Sequence, residues 1–121
     1  MLRVLVASGD REEWYVALTK DFRATVAARA RRDPRFRESM LAEALNATLA
    51  GDVGAGKRIL RDLVNATIGF EGLAAETGRP SKSLHRMLAS RGNPSMANFF
   101  EIVWALQRYS RVKLRVAARA A

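Results

Sequence analysis

Ser81, Lys82, Ser83, His85 and Arg86 lie within one short stretch, and each side chain can donate hydrogen bonds. On a helix, residues three and four apart are neighbours, so Ser81, Lys82, His85 and Arg86 share one side. Such a side offers cations to phosphates and donors to base edges. Lys and Arg suit guanine O6 and N7, and Ser suits several bases. Leu84, Met87 and Leu88 fall on the opposite side and would face a core. The chemistry is recognition of a nucleic-acid groove, and no acid stands among these residues.

Other spacings hint at chemistry but lack the context it needs. Gly51-Asp52-Val53-Gly54-Ala55-Gly56-Lys57-Arg58 has the glycine and lysine spacing of a phosphate-binding loop. Arg58 stands where that loop needs Ser or Thr for magnesium, and no strand precedes Gly51. The loop works by aiming backbone N–H groups between a strand and a helix, so a glycine-softened helix start is the better reading. His85 is the single histidine and there are no cysteines. Neither a zinc site nor a thiol nucleophile can be assembled from that inventory. A Ser-His-Asp arrangement would have to use His85 from an outward basic surface. Glu12, Glu13, Glu38 and Glu43 read as solvated helix faces, and Trp14 and Trp104 as core or subunit contacts. The expectation is a protein that is not an enzyme, with no catalytic, metal or cofactor-binding residues.

Composition agrees with a nucleic-acid ligand. The 121 residues carry a formal net charge of +9, and 49% are hydrophobic, enough for one domain with a modest core. The charge is uneven. Residues 81–121 hold eight Lys/Arg against Glu101 alone, seven of the nine net charges, whereas residues 46–80 balance to zero. A chain this basic suits phosphate backbones or anionic surfaces. No apolar run approaches the roughly 20 residues of a membrane span. Residues 1–7 are too short for a secretory apolar region, so no membrane partner and a cytoplasmic location are expected.

The elements that must position these residues read as helices. Trp14, Leu18, Phe22, Thr25 and Arg29 recur at helical spacing and predict a helix over residues 12–31. Asp33-Pro34 is a helix start, and residues 34–50 follow with Phe36, Met40, Leu41, Ala44, Leu45 and Leu49 inward. Gly51 stops that helix and Asp52 caps the next, residues 53–68, whose apolar face is Ile59, Leu60, Leu63 and Val64. Two short helices follow, 70–77 and 81–89, joined by Gly78-Arg79-Pro80. Helices joined by so short a turn cross steeply. Ala74 supplies the small residue at the crossing and Gly78 the left-handed turn residue. Residues 91–94 form a turn. Ser95 then caps a helix burying Phe99, Ile102, Val103 and Leu106, with Trp104 at its edge. Arg91, Ser95 and Asn98 join the candidate DNA-binding set, the last two at a helix start suited to a backbone phosphate.

Residues 70–106 resemble the helix-turn-helix of the lambda-repressor-like (Cro/Xre) superfamily. Within it the likeness is to HigA-type addiction-module antidotes and related transcriptional regulators. It is carried by Gly69-Phe70-Glu71-Gly72-Leu73-Ala74, Thr77-Gly78, Ser81-Lys82-Ser83-Leu84, Arg86-Met87-Leu88 and Gly92-Asn93-Pro94. Upstream, Leu18-Thr19-Lys20-Asp21-Phe22, Arg32-Asp33-Pro34 and Leu60-Arg61-Asp62-Leu63-Val64-Asn65-Ala66-Thr67 extend it across residues 16–116. The resemblance implies an all-α bundle that binds a double-stranded DNA operator. It matches Ser81, Lys82, His85 and Arg86 to the base-facing positions of a recognition helix. For antidote members it further implies a RelE-like toxin as partner and autoregulation of the operon.

The expected organisation is a peripheral extension at residues 1–15, a helical DNA-binding domain at 16–107 with its helix-turn-helix at 70–88, and a basic segment at 108–121. The resemblance begins near Val16, and valine can be encoded by an alternative GTG start codon, which is the ground for treating 1–15 as peripheral. In the last segment Val112, Leu114 and Val116 alternate with Lys113 and Arg115, the period of a half-exposed strand. That strand could pair with residues 2–6 or with its copy across the two-fold axis of a homodimer; the other reading is a frayed basic tail.

Overall fold

The computed structural model describes residues 20–121. The extension at residues 1–15, Trp14 and Leu18 lie outside them. Six helices follow in order: α1 (Lys20–Arg32), α2 (Pro34–Leu49), α3 (Val53–Ala66), α4 (Gly69–Thr77), α5 (Ser81–Leu88) and α6 (Met96–Ser110). The fold is all-α, a helical bundle that includes a helix-turn-helix, with no strand among the described residues. None of these helices is long and apolar enough to cross a membrane.

Each boundary has a local cause. Asp33 caps α2 by accepting from the N–H groups of Arg35 and Phe36, and Pro34 occupies the first turn, where a missing N–H costs nothing. Arg37 donates from Nη1 to the carbonyls of Ala30 and Arg31, which closes the end of α1 from the next helix. Asp52 accepts from the Ala55 N–H to start α3. Between α4 and α5 the chain turns at Gly78, whose φ of +72° is the left-handed conformation that a side chain would oppose. Ser95 accepts from the Asn98 N–H to start α6.

The core is centred on α3, which packs against α1, α2, α4 and α5. Leu60, Leu63 and Val64 are fully buried and Ile59 nearly so, all four of the residues that the spacing put inward. Leu73 of α4 and Leu84 and Leu88 of α5 are sealed in the same cluster, with Phe99, Ile102, Val103 and Leu106 of α6. On α1 the inward row is Val26 and Ala30 with Phe22 partly buried, one position on from the row through Thr25 and Arg29. Thr25 is exposed, and the Arg29 guanidinium lies 4.6 Å from the Phe36 ring centre. On α2, Phe36, Met40, Leu41 and Ala44 are buried as expected, but Leu49 is 66% exposed. Roughly 100° of rotation per residue carries it about 140° round from Ala44, where Ala47 fills the core instead.

No strand forms after α6. Arg111 adopts the left-handed conformation (φ +58°, ψ +43°) and turns the chain back. The Val112 N–H donates to the Gln107 carbonyl and the Leu114 N–H to Gln107 Oε1. Val112 and Leu114 pack on the protein's own core, while Val116 is exposed. The alternation expected of a strand is therefore real, but the apolar side docks in cis and Gln107 takes the amide donors.

Candidate nucleic-acid interface

α5 is short because both its ends are fixed. Pro80 enters it in an extended conformation, and its carbonyl accepts from the Ser83 and Leu84 N–H groups. With Leu84 and Leu88 in the core, the opposite face must point outward. Lys82, His85 and Arg86 are exposed on it, and Ser81 and Ser83 are half-buried at its start. The His85 ring stacks on Phe70 of α4, so its face is occupied although its edge is open.

The far end of α5 is held by two cations from α3. Lys57 is only 5% exposed, and its Nζ donates to the carbonyls of Ser90, at 3.3 Å, and Gly92, at 2.5 Å. Arg61, one turn later, donates from Nη1 to the Leu88 carbonyl at 2.6 Å. The last carbonyls of a helix lack partners and carry the negative end of its dipole, so cations are favoured there. A buried ammonium needs such acceptors to offset its lost hydration. The loop with phosphate-binding spacing is thereby explained. Lys57 secures the exit of α5, and a side chain at Gly56 would collide with Thr48 where α2 and α3 cross closely.

Beside the outer face of α5 lies an open depression of about 570 Å³, lined by Arg61, Lys82, His85, Arg86, Ala89 and Ser90. Three of these six are permanent cations and none is an acid. The acid nearest in sequence, Asp62, has its carboxylate 4.0 Å from Arg23 on α1.

The remaining candidates stand apart from this depression. Arg91 is exposed in the turn after α5, and Ser95 and Asn98 begin α6, where the Ser95 hydroxyl is engaged in capping. Two ion pairs tie α6 to the helix-turn-helix: Arg79 Nε to Glu101 Oε1 and Arg108 Nη2 to Glu76 Oε1, both 2.6 Å. All four side chains are partly exposed, so the pairs orient α6 more than they stabilise it.

Lys57 and Arg61 were not among the residues that the sequence nominated. Their signal was present: two cations four apart fall together on one edge of the apolar row of α3, beside Val64. Nothing in the sequence says that this edge meets the end of α5.

Comparison with known proteins finds no matching family model, no similar curated protein and no similar solved structure.

Proposed function

We propose that this protein is a sequence-specific DNA-binding transcriptional regulator, a repressor, that reads operator DNA with α5 in the major groove. The observation that carries the reading is the outer face of α5. Lys82, His85 and Arg86 are exposed together there, beside Arg61, along a depression that no carboxylate lines. A helix of this kind fits the groove, with Lys82 and Arg86 as donors to guanine and the other Lys/Arg side chains as phosphate contacts. The left-handed Gly78 and the closely packed pair α4–α5 agree with the helix-turn-helix that the family resemblance implies.

One such helix reads only a few base pairs. The regulator therefore acts as a homodimer on an inverted repeat, with half-sites one DNA turn, about 34–36 Å, apart. The deciding experiment is capture of genomic DNA fragments by the purified protein, followed by sequencing. Enrichment of one inverted-repeat sequence, with binding that weakens steeply as salt rises, is the expected result. Capture without sequence enrichment, or binding indifferent to salt, would reject it.

A further inference from the structure

Resting on that reading of α5, we propose that Arg61 of α3, outside the helix-turn-helix, is a direct ligand of a DNA backbone phosphate seated in the depression beside α5. A guanidinium has five N–H donors in a fixed plane. Among the described residues Arg61 uses one nitrogen, Nη1, on the Leu88 carbonyl. That bond anchors the side chain to the recognition helix, so little further entropy is lost when the rest of the fork meets an oxyanion. Arg61 also forms one wall of the depression whose other walls include Lys82 and Arg86. Three cations held about one hollow repel one another, and an entering anion relieves that repulsion.

The arrangement exceeds what closing α5 requires. Lys57 already neutralises the exit of the helix from a buried position. Arg61, one turn later and half-buried, reaches the open depression beside the outer face. When α5 lies in a groove, the sugar-phosphate backbone flanks it, and a phosphate beside residues 82, 85 and 86 falls at this hollow. Arg61 thereby couples α3 to the register of α5 on the duplex. It contributes affinity and no base preference, as backbone contacts do.

The test uses operator duplexes recovered by the capture experiment, each with a single phosphate neutralised as methylphosphonate. They are titrated with the full-length protein, Arg61→Gln and Arg61→Lys, with thermal melts alongside. At one phosphate per half-site, neutralisation should weaken the unaltered protein roughly tenfold or more and leave Arg61→Gln indifferent. Arg61→Gln should also lower the salt slope by about one, on operator and random duplex alike. If Arg61→Gln does not fold, Arg61→Lys decides, because the neutralisation cost at that one phosphate must change with the loss of the planar fork. Equal costs at every phosphate for the unaltered protein and the folded variants would overturn this role and leave the DNA-binding reading standing. Failure of the unaltered protein to bind any duplex would overturn both.

Discussion

The imidazole of His85 lies flat on the ring of Phe70, with centroids 3.8 Å apart and planes 20° apart. Phe70, in the first turn of α4, is otherwise buried, so His85 covers its remaining face and joins the two helices of the helix-turn-helix away from their turn. A stacked pair of this kind contributes about 1 kcal/mol beyond its buried area. His85→Ala should lower the unfolding free energy from urea titration by about that much, and His85→Phe should recover it. An unchanged free energy in His85→Ala would show that the stack does not stabilise the pair.

Arg86 and Lys82 sit one turn apart on the exposed face of α5 and point the same way. Arg86→Ala should cost about 1–3 kcal/mol on the operator and relax preference at one base position, with a much smaller loss on random DNA. Titrations on both duplexes check this. Equal losses on the two would make Arg86 a backbone contact.

Most of the fold was legible because the helices are amphipathic and sharply punctuated. Ile59, Leu60, Leu63 and Val64 define one buried face of α3, and Asp33, Asp52, Gly78 and Ser95 mark boundaries through side-chain or backbone conformations that few residues provide. The row on α1 was misplaced by one position because Thr25 and Arg29 share the helical spacing of Phe22, and alanines supply half of the true face. The outer face of α5 followed from the position of Leu84 and Leu88. What could not be read was contact between elements distant in sequence. The Lys57 and Arg61 bonds span 33 and 27 residues, and no periodicity encodes them. The strand expectation failed for a related reason: alternation reports one buried side, and the left-handed Arg111 decides what buries it.

Asp33 gives the junction of α1 and α2 a pH dependence. Partial desolvation pushes its carboxyl upward, but the Phe36 N–H, the Arg29 side chain and the Arg35 N–H, together with the Arg29 charge, hold it below its ordinary value of 3.8. A group depressed on folding stabilises the native state above its unfolded value and loses that effect as pH falls through the lower, folded value. Thermal melts should therefore show a contribution constant above about pH 4 and declining below it. Asp33→Asn keeps a capping oxygen without the titration, so its melting temperature should depend less on pH in this acidic range. Parallel pH profiles for Asp33→Asn and the unaltered protein would show that Asp33 does not cause the loss.

The homodimer proposed for an inverted repeat would find its best surface on α6. Met96, Phe100 and Trp104 are 76%, 49% and 58% exposed and recur every four residues, so they form one apolar row on the outside of the helix. Arg108 continues the row, its guanidinium 4.9 Å from the Trp104 ring centre. Two α6 helices packed antiparallel across a two-fold axis would cover each row with its copy, a self-complementary contact. The C-terminal segment is not free for that task, because Val112 and Leu114 already pack on the protein's own core. Truncation after Ser110 should lower the melting temperature by exposing what those residues cover and leave the oligomeric state unchanged. Trp104→Glu should give a monomer in sedimentation at micromolar concentration. That variant should retain affinity for an isolated half-site while losing the advantage of the full inverted repeat. A dimeric Trp104→Glu, or a truncated protein that dissociates, would move the interface from α6 to the C-terminal segment or to the helices before α3.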